Sequence, residues 1–153
     1  MIFLDADAWI FNPVMLKKLL ISLPLSKHGI FSRDPYVKKN TYINSGSFII
    51  RINQYTKKMY SILEKQAREN RSYSWKWPYD QWYISNYVFE NKEDFLIYKP
   101  DITNTPIGKI LRHSWIKDFS TCYIQQDQNN FDLREYIDRE PFPNKQKSGY
   151  EYF

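Results

Sequence analysis

The chain has one cysteine, Cys122, in 153 residues. It therefore closes no disulfide within itself and builds no thiolate metal cluster. A lone thiol with no identifiable histidine partner reads as a core or surface residue, not as a nucleophile. No apolar run approaches the roughly 18 residues needed to span a bilayer. The first residues lack a charged leader region and a cleavage pattern, so they do not read as a signal peptide. No internal repeat and no low-complexity segment is present. With neither anchor nor address signal, the secretory pathway and the cytoplasm both stay open as compartments.

What the chain does have is enough apolar material for one folded domain: 42% hydrophobic residues, with aromatics at 18%. That composition argues against disorder for most of the chain. Aromatic residues beyond the needs of a core often line binding surfaces. The formal net charge is +5 and the sequence pI is near 9.1. A basic balance favours an acidic ligand, whether a nucleotide diphosphate, a nucleic acid or an anionic membrane surface.

The most informative stretch is Met1–Pro13, MIFLDADAWIFNP. Its apolar run, Met1 to Leu4, predicts a strand buried on both faces. Asp5 and Asp7 follow at i, i+2, a spacing that projects both side chains to one side of an extended chain. Like charges held that close cost stability unless a cation sits between them. This points to a divalent-metal site at the carboxyl end of a core strand, where open α/β sheets bind ligands. The plainer alternative is a strand that ends in two solvated loop carboxylates.

Downstream, Asn12-Pro13 reads as the cap and first position of a helix over Val14–Leu23. Leu16, Leu19, Leu20 and Leu23 form its apolar face, Lys17 and Lys18 point outward, and Pro24 stops it. His28–Ser32 predicts a short strand closed by Arg33-Asp34-Pro35, and His28 is given no role. Tyr42–Ile52 reads as strand, interruption, strand, with Gly46 marking a bulge or a close backbone approach. Asn53 caps a helix from about Gln54 to Glu69, with Tyr55, Met59, Ile62, Leu63 and Ala67 on one face. Asn70–Pro78 is a loop carrying Trp75 and Trp77, which either stack on ligand rings or cover the core. Tyr79–Phe89 predicts a helix with Asp80 at its start. Phe95–Tyr98 predicts a strand and Pro100–Pro106 a loop. Trp115–Tyr123 and Phe131–Ile137 are short candidate elements, and the chain from Pro141 reads as a loosely held tail. The order fits an α/β domain over residues 1–140, with 141–153 as tail.

Four motifs stand in order: FLDADAWI, NSGSFIIR, YDQWYIS and RHSW. Together they resemble the catalytic half of a GT-A fold glycosyltransferase. Within that fold the chain is most similar to glycosyltransferase family 34, the galactosyl-, mannosyl- and xylosyltransferases. The resemblance covers roughly Met1 to Lys117. It implies a metal-dependent enzyme moving a sugar from a nucleotide-diphosphate donor to a carbohydrate or glycoconjugate acceptor. The implied cofactor is Mn²⁺ or Mg²⁺, which take carboxylate, imidazole and phosphate oxygen ligands.

By the same resemblance, Asp7 would bind the metal, Asp5 would hold the donor ribose and reach the metal, and His113 would complete the protein ligands. Asn44, Ser45 and Gly46 would lie under the transferred sugar. Asp80 and Gln81 would stand near its anomeric carbon as catalytic residues. Asp80 could bond donor hydroxyls, act as base or nucleophile, or stabilise an oxocarbenium-like state. Lys109, Arg112 and Lys117 are candidates for the diphosphate contact, and Trp75 and Trp77 for stacking against the acceptor.

The family holds its nucleotide base in a segment before the D-x-D strand, so the expectation is a GT-A-like fold lacking that segment. In such a fold the Asp5–Asp7 strand has no neighbour on one side. The family also carries a glycine shortly after the metal histidine, where Ser114-Trp115 stand here. Two other readings fit part of the pattern. A haloacid-dehalogenase-type phosphohydrolase also ends a strand in D-x-D, but Trp9 occupies the position where that class wants Thr or Val. A non-enzymatic, basic, aromatic-rich module for carbohydrate or single-stranded nucleic acid fits the charge and the tryptophans, but leaves Asp5, Asp7 and His113 unexplained.

Overall fold

The computed structural model describes residues 1–6, 8–34, 43–70, 80–103, 108–113 and 132–137. The frame is a four-stranded mixed sheet in the order β1-β4-β3-β5, with β1 at Ile2–Leu4, β3 at Gly29–Ser32, β4 at Ser47–Ile50 and β5 at Phe95–Tyr98. β4 runs antiparallel to both β1 and β3, while β3 and β5 are parallel. A separate antiparallel ribbon joins β2 (Ala8–Ile10) to β6 (Leu111–His113). The chain is thus of mixed α/β class.

Side-chain alternation sorts the core into two layers, because successive strand residues face opposite sides of a sheet. Phe31, Phe48, Ile50, Phe95 and Ile97 face one way. They pack under α2 (Gln54–Glu69) and α3 (Asp80–Glu90), through Met59, Leu63, Tyr83, Ile84 and Val88. Ile30, Ile49 and Tyr98 face the other way, against Met15, Leu16, Leu19 and Leu23 of α1 (Pro13–Ser22) and its C-terminal flank. Covering both faces explains why SFII in β4 and GIFS in β3 are buried along their whole length.

The helix starts follow the sequence signals. Asn12 accepts the Met15 amide at 3.0 Å, with Pro13 as first helical residue. Asn53 and Thr56 form a reciprocal capping box at the start of α2. Three expectations are corrected. β1 is not buried on both faces: it is an edge strand, Phe3 stays 39% exposed while stacking on Phe48 at 4.7 Å, and only β4 pairs with β1 among the described residues. On α1, Met15 takes the buried place and Leu20 lies outward. Pro100–Thr103, read as loop, is a short helix, α4. Its Thr103 ties the layers, since Ser47 donates to its carbonyl oxygen and Ser32 bonds its hydroxyl. The short candidate element over Phe131–Ile137 is a 3₁₀ turn at Leu133–Tyr136. Trp115–Tyr123 and 141–153 lie outside the described residues.

Gly29 sits where a side chain has no room. A Cβ there would meet the Ile49 carbonyl oxygen at 2.8 Å, inside the central β3–β4 pair. Backbone cannot move aside as a flexible side chain would. Gly29→Ala is expected to lower stability by about 1–3 kcal/mol, the usual cost of overpacking a filled site. Urea unfolding followed by circular dichroism measures it, and an unchanged midpoint would contradict this packing.

Candidate functional site

The site lies where β1 ends, where the chain enters β4, and where α3 begins. Leaving β1, the chain turns tightly. The Asp5 amide donates to the Gly46 carbonyl at 2.8 Å, and the Ala8 amide closes back on the Asp5 carbonyl at 3.0 Å. The Asp5 carboxylate accepts the Ala6 amide at 2.9 Å, and the side chain remains exposed. The turn before β4 is built by Asn44, whose side-chain oxygen accepts the Gly46 amide at 2.7 Å. That local bond explains why Asn, one residue removed from Gly, is wanted there. Ser45 donates to Asp80 at 3.3 Å, joining this turn to the first residue of α3.

Beneath these residues lies a buried polar layer. Asp34 accepts from Gln81 Nε2 at 2.8 Å and from Asn44 Nδ2 at 3.4 Å. Asp34, Asn44, Gln81 and the neighbouring Arg33 are all buried. One carboxylate thus links the end of β3, the turn into β4 and the first turn of α3. Ser85, one turn further along α3, accepts the Ile43 amide at 2.9 Å and fastens the helix to the same turn. Sequence reading took Arg33-Asp34 as a strand closure and missed this role. The signal needed was three-dimensional: the bridge between Arg33 and Ile43 and the Asn44 amide donating to Ser32 bring the turn over the end of β3.

Asp80 keeps an open side to solvent, but the protein packed round it strips water from its carboxylate and raises its pKa above the ordinary 3.8. The Ser45 hydroxyl and the Gln81 amide work in the opposite direction, and the charge of Asp5 adds to the rise. Asp5 and Asp80 therefore face a shared region closely enough to feel one another.

The expected residues divide into groups. Asp5, Asn44, Ser45, Gly46, Asp80 and Gln81 come together in one linked cluster, although they are spread over more than half the described chain. His113 is paired in register with Ala8, so the ribbon brings its backbone beside the residue that follows Asp7. Arg112 is buried, with its guanidinium 3.3 Å from the centre of the Phe11 ring and its Nε donating to the Gly108 carbonyl at 3.2 Å. Lys109 lies over the Tyr136 ring at 5.3 Å. Asp7, Trp75, Trp77, Lys117 and the His113 side chain lie outside the described residues.

Among the described residues no group of three His, Cys, Asp or Glu side chains is placed to hold a metal ion. Two of the three expected ligands, Asp7 and the His113 side chain, fall outside that set. Of the expected ligands only the Asp5 carboxylate is described, exposed at the end of β1 and near enough to Asp80 for its charge to add to the rise in the Asp80 pKa. Comparison of the chain with protein-family models, with curated proteins and with solved structures finds no match.

Proposed function

We propose that the chain carries the metal-dependent sugar-transfer site of a GT-A-like glycosyltransferase, taking a nucleotide-diphosphate sugar as donor and a carbohydrate or glycoconjugate as acceptor. The observation that carries the reading is the joining of three distant motifs by hydrogen bonds: Asp5 to Gly46, Ser45 to Asp80, and Gln81 with Asn44 through Asp34. These bonds bring the three motifs together at one end of the sheet.

In this reading Asp5, Asp7 and His113 hold Mn²⁺ or Mg²⁺. When bound, the ion neutralises the diphosphate leaving group. The chain's own residues do the rest. The Asn44–Gly46 turn presents backbone and hydroxyl groups to the sugar, and its shape is set by the Asn44–Gly46 bond. Asp80, its carboxylate partly stripped of water, stands over the sugar and answers positive charge growing at the anomeric carbon. Gln81 faces inward to Asp34 and fixes the start of α3, which in turn fixes Asp80. Gln81 is thus a positioning residue for Asp80 in addition to its place in the motif.

Binding of the ion is separable from transfer and can be read by heat. Mn²⁺ is expected to raise the melting temperature of the whole chain, and more so with a nucleoside diphosphate present. Asp5→Asn is expected to remove most of that rise while leaving the melting temperature without Mn²⁺ close to that of the parent. An equal rise in both proteins would overturn the assignment of Asp5 to the metal.

A further inference from the structure

Ser85 is a serine inside a helix, α3, and it is 1% exposed. A helical serine commonly turns its hydroxyl to water or to the carbonyl one turn back. This one uses its hydroxyl on another segment, twice. It accepts the Ile43 amide at 2.9 Å and donates to the Ile43 carbonyl at 3.3 Å. The strand pairing explains why Ile43 offers both groups. Ile43 is bridged to Arg33, and the next residue, Asn44, donates its amide to the Ser32 carbonyl at 3.0 Å. In an antiparallel pair, a residue lying between ladder bonds turns its own N–H and C=O away from the partner strand. Those of Ile43 therefore point away from β3 and meet α3. Gln81 lies one turn before Ser85 on the same helix face and donates to Asp34 at 2.8 Å. So α3 is tied down at two points, about 6 Å apart along its axis. One tie would leave the helix free to pivot, and two fix its direction.

We propose that Ser85 is a positioning residue for Asp80: by gripping both backbone groups of Ile43 it sets the distance between the Asn44–Gly46 turn and the first turn of α3, and with it the Ser45–Asp80 contact. The route is short. Ile43 stands two residues before Ser45, and Ser45 donates to Asp80. At 3.3 Å that bond is longer than the usual ~2.8 Å, so a small retreat of the turn breaks it. Without the Ser85 hydroxyl, the N–H and C=O of the fully buried Ile43 lose their partner. The chain recovers hydrogen bonds for them by letting water in between the turn and α3. The proposal rests on the transferase reading for what Asp80 does, but not for how Ser85 holds it in place.

The test compares Ser85→Ala with Leu16→Ala in the whole chain. Leu16 belongs to the opposite core layer, so its loss lowers stability without touching the turn. Both variants should melt below the parent. In Ser85→Ala the nuclear Overhauser contact between the Ser45 and Asp80 side chains should disappear. Its Gly46 and Asp5 amides, which carry the turn's own bonds, should exchange with solvent at least about tenfold faster relative to those of β5. Leu16→Ala should keep both the contact and that ratio. In sugar transfer, Ser85→Ala should lower kcat at least about tenfold and leave the donor KM within about threefold, because a displaced Asp80 weakens the transition state more than binding. A Ser85→Ala protein that keeps the contact and the parental ratio would overturn the proposal. So would the same local change in Leu16→Ala, or an unchanged kcat. A parent that turns over no donor counts against the transferase reading instead, and the contact and the exchange ratio still decide the role of Ser85.

Discussion

Asp80→Asn is expected to give a protein that is more stable at neutral pH and far less active. The first effect follows from the sign of the pKa change. Burial raises the Asp80 pKa in the folded chain above its ordinary 3.8, so the folded state binds the proton more tightly than the unfolded one. Stability therefore falls as pH rises through the window between 3.8 and the raised value, and stays lowered above it. Asparagine has no charge to desolvate, and its carbonyl oxygen can still accept from Ser45. In metal-free buffer the variant should melt higher than the parent at pH 7, with the gap closing below the ordinary Asp value. The second effect follows from the proposed chemistry. Removing a negative charge aimed at the reacting centre should cut turnover at least about a hundredfold. Thermal melts across pH, run beside sugar-transfer assays, check both. A variant that melts lower at pH 7, or transfers sugar as fast as the parent, would contradict this role.

Asp34→Ala should be the most damaging polar substitution for stability. It removes the acceptor for Gln81 at 2.8 Å and for Asn44 at 3.4 Å, and all three residues are buried. A buried donor left without its partner costs about 1–3 kcal/mol, so a loss of roughly 2–3 kcal/mol is expected in urea unfolding. The same change frees the turn that holds Ser45 and the helix start that holds Asp80. Any transfer activity should fall with it even where the protein is still folded. Asp34→Asn keeps one acceptor oxygen and should lose less of both. A change within about 0.5 kcal/mol for Asp34→Ala would place it among ordinary surface substitutions and contradict the buried layer.

The strands and helices were legible because their signals are local. Asn12-Pro13 and Asn53 mark helix starts by capping chemistry that needs only neighbouring residues. Phe95–Tyr98 and Ser47–Ile50 are apolar runs of strand length bounded by polar residues. What was not legible depends on contacts across the chain. MIFL looks like a strand buried on both faces, yet Phe3 stays partly exposed, because an apolar run does not say which of its faces the rest of the chain will cover; that this strand lacks a neighbour on one side was expected, and among the described residues β1 pairs with β4 alone. Leu20 and Met15 traded places because Met15 belongs to the buried cluster that also holds Ile49 and Ile102, while Leu20 lies on the outer side of the helix. Pro100–Pro106 looked like a loop because a proline stands at each end, whereas Pro at the first helical position is well tolerated and Pro100–Thr103 is helical.

The candidate site divides in the same way. Asp5 stood out by its spacing to Asp7, Asn44–Gly46 and Asp80-Gln81 by the resemblance of their motifs to a known family, and hydrogen bonds link them in space. Asp34 was passed over because an aspartate before a proline is ordinary turn chemistry. Only the fold shows it buried under the site. Arg112 was selected for its charge beside His113, and the fold engages it with Phe11 and Gly108. Charge and position in sequence say that a cation is near a site. They do not say which way it reaches.

The most direct measurement is release of nucleoside diphosphate from sugar nucleotides by the whole chain with Mn²⁺, across uridine and guanosine donors. A transferase site of this kind should release the diphosphate from at least one donor, faster when an acceptor sugar is present. Chelator should abolish the release, and Asp80→Asn should reduce it at least about a hundredfold. Release that survives chelator, or a parent protein that turns over no donor and whose melting temperature no nucleoside diphosphate raises with Mn²⁺ present, would contradict the assignment.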